Sequence, residues 1–178
     1  MQKKIDVRDL TKIALCTSLC CVTAFIAFPL PFTPGMVTAL TITMSLTAYI
    51  LNPRETFLVI FLYLLIGAVG IPVFGGMGAG RLFSPVGGFY FAWLVAYPIL
   101  SFCKGEEINF KRYVVTNILT AIPITYVGGI ISMILVLKIN LWEALTMAVF
   151  PFVFGDILKA IAAALLAVKL QKRLKGSF

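Results

Sequence analysis

Six apolar stretches follow one another between Lys12 and Val168, and nearly all of the charge falls in the connections between them. That alternation constrains the fold more than any motif does. Inside hydrocarbon every backbone N–H and C=O must be satisfied within the protein, which leaves helices or a closed barrel. Runs of this length favour helices, since about 20 residues cross a bilayer. Of the 178 residues, 61% are hydrophobic and 12% charged, with a mean hydropathy of +1.03. Soluble domains run near 45–50% apolar and about 25% charged. An all-α integral membrane protein is expected, built as a single transmembrane domain over residues 1–178.

The expected spans are Lys12–Phe28, Met36–Leu51, Thr56–Val69, Phe89–Cys103, Tyr113–Leu137 and about Val153–Val168. A partial helix is expected over Trp142–Phe150. The connection from Gly70 to Gly88 holds seven glycines and two prolines, too many for a stable helix. Its apolar residues argue for a packed cap, and loops of this length without regular structure are most often functional. The net charge is +8, yet twelve of the fifteen Lys and Arg fall on one side of this topology. That is the positive-inside pattern, not a nucleic-acid-binding stripe. It sets both termini in the cytoplasm and the Gly70–Gly88 loop outside. The polar lead-in shows no small-residue cleavage site and is expected to stay in place.

Ten residues beginning at Phe150, Pro-Phe-Val-Phe-Gly-Asp-Ile-Leu-Lys in continuation, carry a carboxylate and an ammonium inside an apolar segment. Asp156 and Lys159 are three apart and share a helix face. A mid-membrane charge costs roughly 2.5–3.5 kcal/mol on insertion scales, so such residues are by default site candidates. They can also do no more than neutralise each other and pin helix packing. Arg81 is the lone cation of the outer loop, either a ligand contact or a solvated residue. Thr38 and Thr41 stand near the outer end of the second span and could face a ligand, although membrane hydroxyls usually bond their own helix. Ala14 and Ser18, four apart, form a small-residue face that admits a close helix partner.

Other chemistry is poorly supported. Histidine is absent from the sequence, and Cys16, Cys20, Cys21 and Cys103 sit in or beside apolar spans as small hydrophobes, so neither a metal nor a cofactor is expected. Without paired carboxylates or a nucleophile–base set, an enzyme is not expected. The glycines at 75, 78 and 80 are no dinucleotide fingerprint, because no strand precedes them. A channel would need polar residues at several depths of a pore.

The chain resembles the BioY family, the biotin-specific S components of energy-coupling-factor (ECF) vitamin transporters. The resemblance covers nearly the whole length. It rests on Pro29-Leu-Pro-Phe-Thr-Pro34, Gly70-Ile-Pro-Val-Phe74, Pro85-Val-Gly-Gly-Phe89 and Pro151-Phe-Val-Phe-Gly-Asp-Ile-Leu-Lys159. Val86 and Phe89 stand where the family commonly has Thr and Tyr, and Leu40 where it often has Gln. The resemblance implies a multi-pass subunit of a bacterial plasma membrane that binds biotin and performs no chemistry. It implies that Asp156 and Lys159 belong to the biotin site, with the Gly70–Gly88 loop as lid; the expected binding set adds Arg81, Gly87, Gly88, Phe89, Trp93 and Thr38. It also implies a partner module of two ATPases and a transmembrane coupling protein, met partly through Ala14 and Ser18, and transport by toppling of the whole subunit. The chain has no Walker A motif, so any ATP drive lies in other subunits. An S component for another vitamin, or a non-transporting membrane scaffold, are the alternative readings.

The charge distribution generates a first test. Cysteines introduced at Lys3 and Lys175 are expected to react with a membrane-impermeant thiol reagent only after the cells are opened. Labelling of either from outside would reverse the topology.

Overall fold

Asp6 opens the first helix, its carboxylate accepting from the Val7 N–H at 2.7 Å. The computed structural model describes residues 6–175; Lys3, Lys4 and the Lys175 side chain lie outside the described part. Helix α1 (Val7–Thr23) ends before the expected Phe28. The reason is a two-stranded hairpin: β1 (Ala27–Pro29) pairs antiparallel with β2 (Met36–Thr38), Ala27 opposite Thr38. Prolines at 29, 31 and 34 cannot continue a helix, and the short strands pair instead. The same hairpin shortens the expected second span to α2 (Leu40–Ile50).

Helix α3 (Pro53–Ala68) begins with a reciprocal cap, in which Asn52 accepts from the Glu55 N–H and Glu55 accepts from the Asn52 N–H. The Gly70–Gly88 connection packs along part of its length, while Ile71, Met77 and Phe83 are exposed. Val73 and Phe74 are buried, and a 3-10 turn covers Ala79–Phe83. The Tyr63 hydroxyl donates to the Val73 carbonyl at 2.9 Å and so ties α3 to the connection.

After α4 (Gly87–Cys103) comes one continuous 28-residue helix, Phe110–Leu137. It consists of α5 (Phe110–Thr116), a π-helical turn over Asn117–Ala121 and α6 (Ile122–Leu137). Helix α7 (Leu141–Ala148) is short, with its own Asn140/Glu143 cap. Helix α8 (Phe150–Lys175) tolerates Pro151 because it falls in the first turn, where the missing N–H has no helical partner.

Two of these helical stretches, Phe110–Leu137 and Phe150–Arg173, are long and apolar enough to cross a bilayer; α2 and α4 are shorter apolar helices. Large apolar side chains face outward along them, including Phe102 at 79% exposure and Phe154 at 75%. A soluble surface does not carry apolar area on that scale. This is a helical membrane protein.

Polar groups meet inside instead. Asn117 donates to the hydroxyls of Ser45 (2.9 Å) and Tyr49 (3.0 Å), and the Tyr49 hydroxyl donates to the Tyr113 carbonyl. At one end Ser101 and Lys104 donate to the Leu51 carbonyl and close the C-terminus of α2. Burial lowers the Lys104 ammonium to about 8.

A tight backbone approach joins α4 to α6. A Cβ on Gly88 would lie 2.0 Å from the Gly128 carbonyl oxygen and 2.5 Å from the Ser132 Cβ. Gly88→Ala is therefore expected to force the two helices apart and lower stability by about 1–3 kcal/mol. A thermal melt of the purified variant checks this, and an unchanged melting temperature would contradict the packing.

Candidate functional site

Helix α8 carries a charged pair in its second and third turns. The Lys159 ammonium lies 3.1 Å from Asp156 Oδ1, with the side chains 15% and 18% exposed. Tyr126 of α6 donates its hydroxyl to Asp156 Oδ2 at 2.8 Å. Each carboxylate oxygen thus has one donor and keeps acceptor capacity for another. Nothing marks Tyr126 in the sequence, because its partner lies thirty residues away on a different helix.

Above this group lies a cavity with about 700 Å³ of free space, counting its mouth. Its wall is mostly apolar and aromatic, from Met36, Phe74, Phe89, Tyr90, Trp93 and Phe152. The rings form a chain. Tyr63 meets Phe74 edge-on at 5.5 Å, Phe74 lies 4.7 Å from Tyr90, and Tyr90 meets Trp93 at 4.7 Å. Such contacts hold ring orientations beyond what burial alone does.

Two loops contribute residues to the cavity wall. The β1–β2 turn rests on α8 at Gly35, where a Cβ would come within 2.8 Å of the Phe152 ring. It is tied to α7 by the Thr33 hydroxyl, which donates to the Met147 carbonyl at 2.7 Å. The 3-10 turn brings in Arg81, whose Nη2 donates to the Pro34 carbonyl at 3.1 Å. That bond joins the two loops.

Four buried side-chain polar atoms among the described residues have no hydrogen-bond partner: Thr41 Oγ1, Arg81 Nε, Trp93 Nε1 and Thr125 Oγ1. All four residues line this cavity. An unpartnered buried polar group costs roughly 1–3 kcal/mol, and four on one cavity mark a place where something else supplies the partners.

Of the binding residues named from the sequence, Asp156, Lys159, Arg81, Phe89, Trp93 and Thr38 line the cavity together. Gly87 and Gly88 do not. A Cβ on Gly87 would strike the Leu82 carbonyl oxygen at 2.0 Å, so these glycines close packing contacts next to the cavity. Arg81 is half-buried and loop-bonded, not freely solvated. Tyr126, Thr125 and Tyr90 join the wall without any signal in the sequence that set them apart from ordinary core residues, and Phe152 joins it from within the Pro151–Lys159 motif. Ala14 and Ser18 are exposed on α1, the Ser18 hydroxyl donating back to the Ala14 carbonyl at 2.9 Å. Their face is not taken up by packing within the chain. No group of three or more metal-ligating side chains occurs among the described residues.

An apolar cavity with a few converging polar groups is the usual small-molecule site, and here it lies within a helical membrane protein. The class is thus a membrane-embedded small-molecule binder. Comparison with known proteins narrows it: the BioY family profile matches residues 1–176, and the chain belongs to the BioY family. It is 34% identical over 175 residues to the biotin transporter BioY2 of Lactococcus lactis subsp. cremoris, covering 93% of this chain and 91% of that one. The biotin transporter BioY of Thermotoga maritima is 29% identical over 93% of this chain and 96% of its own length. The probable biotin transporter BioY of Bacillus subtilis is 33% identical over 95% of this chain and 93% of its own length. The crystal structure of the S-component for biotin from an ECF-type ABC transporter superposes with a TM-score of 0.84, at 22% identity over 97% of this chain and 95% of that one. That likeness establishes the shared fold.

Proposed function

We propose that this chain is the biotin-binding S component of an ECF-type transporter. It captures biotin in the cavity and carries no catalytic chemistry. The observation that carries the reading is the convergence of the unpartnered Arg81 Nε and Trp93 Nε1 and the Asp156–Lys159–Tyr126 group on one apolar cavity. Biotin matches it part by part. The ureido N–H groups suit the free acceptor capacity of Asp156, a charge-assisted bond roughly twice as strong as a neutral one. The bicyclic body suits the aromatic wall, and the carboxylate suits a cation.

In this reading the chain crosses the bacterial plasma membrane six times with cytoplasmic termini, and the Gly70–Gly88 loop lies outside as a lid. The partner module consists of two ATPases and a transmembrane coupling protein. The Ala14/Ser18 face is the docking surface, since small residues four apart admit a close helix. Toppling of the whole subunit would present the cavity to the other side.

Between the two cations, Arg81 is assigned the ligand carboxylate. Lys159 already bonds Asp156 at 3.1 Å, whereas Arg81 keeps an unpartnered Nε and has the planar fork that carboxylates favour. Calorimetry of the purified protein should show tight binding of biotin and weaker binding of neutral biotin amide. Arg81→Ala should weaken the acid about tenfold or more and the amide little, as expected for loss of a charged hydrogen bond. Lys159→Ala should weaken both alike. Equal losses on Arg81→Ala would move the carboxylate to Lys159, and failure of the wild type to bind biotin would remove the function.

Docking has a separate test. Ala14→Trp should keep biotin binding and abolish co-purification with the coupling module. A normal yield of complex would clear this face of the role.

A further inference from the structure

Beneath the ligand cavity lies a second, smaller chamber with about 310 Å³ of free space, counting its opening. Asp156, Tyr126, Lys159, Thr41 and Thr125 line both spaces and form the partition between them. Every residue in the chamber wall is buried or half-buried. The chamber is not an apolar packing gap. Ser45, Tyr97 and Asn117 add polar groups to the hydroxyls, carboxylate and ammonium of the partition.

The hydrogen-bond inventory shows what it can hold. Asn117 directs its two N–H donors to Ser45 and Tyr49, which leaves its carbonyl oxygen as an acceptor. Ser45 donates to the Thr41 carbonyl at 2.8 Å and accepts from Asn117. Thr41 Oγ1 on α2 and Thr125 Oγ1 on α6 have no partner, and Thr125 is only 9% exposed. Lys159 has three donors and one bond, to Asp156. The wall thus offers donors and acceptors from several helices, a mixture that suits neither an anion nor a cation. It suits water, which occupies polar cavities where two to four partners converge and leaves apolar ones dry. The π-helical turn Asn117–Ala121 sits at this level, and such turns cluster at functional sites.

We infer that the inner chamber is a buried water site whose ordered waters form part of ligand recognition, joining Thr41, Thr125 and Asn117 to the inner side of the Asp156–Lys159 pair. The waters complete the unpartnered hydroxyls and the spare Lys159 donors, and so hold the pair ready for the ligand. The inference deepens the biotin reading, on which only its affinity test rests.

Two measurements test it. A crystal structure at a resolution that shows ordered solvent should reveal water bonded to both Thr41 and Thr125, whatever the ligand; a dry chamber would overturn the inference. The second uses Ala160→Val, which fills space at the chamber wall without removing a polar group, and Ala160→Ser, which leaves room. By displacing water, Ala160→Val should weaken biotin binding about tenfold, the scale of a lost hydrogen bond, with the ligand-free melting temperature unchanged. Ala160→Ser should bind like the wild type. Ala121→Val, which fills space at the same chamber wall away from the ligand cavity, should reproduce the loss if Ala160→Val does not fold. Wild-type affinity in the folded filling variant would overturn the role of the waters, as would a loss of affinity matched by a fall in melting temperature. If the wild type itself does not bind biotin, the proposed function fails and the solvent structure still decides the chamber.

Discussion

Inside a low-dielectric interior a carboxylate persists only where donors replace the water it has lost. At Asp156 the replacements come from two helices: Lys159 on its own α8 and Tyr126 on α6. The arrangement therefore binds the placement of α8 to that of α6, and the ligand cavity and the inner chamber meet at this junction. An i,i+3 ion pair could exist on an isolated helix. The Tyr126 bond cannot, and it is what turns a local pairing into a feature of the assembled interior.

The rest of the interior serves to hold that junction beside an open space without collapse. Gly88 and Gly128 let α4 and α6 approach at backbone distance, which brings Phe89 over Gly129 on one side and Trp93 to the cavity on the other. The aromatic chain from Tyr63 through Phe74 and Tyr90 to Trp93 supplies a wall of large rings, each set by its neighbour. Beside the cavity, the Arg81 to Pro34 bond couples two segments 47 residues apart. A cation that bonds a loop and also faces the cavity is well placed to report on what the cavity contains.

Much of this was legible in the chain. Apolar runs separated by basic connections define a helical membrane protein, and the glycines and prolines of residues 70–88 exclude a helix there. Asp156 and Lys159 stand out because charge is rare and costly in such segments. The hairpin was not legible. Prolines at 29, 31 and 34 announce a break, but the turn that pairs Ala27 with Thr38 is packed on Phe152 and bonded to Met147, and those contacts are tertiary facts. Gly87 and Gly88 were legible as important and not as packing residues, since a glycine beside a ligand and one beside a carbonyl look identical in a sequence.

By itself, then, the sequence determined the solvent: composition and charge placement require lipid around the chain, helices within it and a polar pair at one point in the interior. Hydropathy and charge are additive along a chain, so they can be read without coordinates. Only the tertiary structure decided that Tyr126, Thr41 and Thr125 converge on that pair, that their hydroxyls divide between two cavities, and that Arg81 leaves the solvent to bridge two loops. Those facts depend on distances between residues far apart in the chain. They are set by how closely α4 and α6 can pack, and a side chain such as Tyr126 acquires its role only from what that packing brings within 2.8 Å.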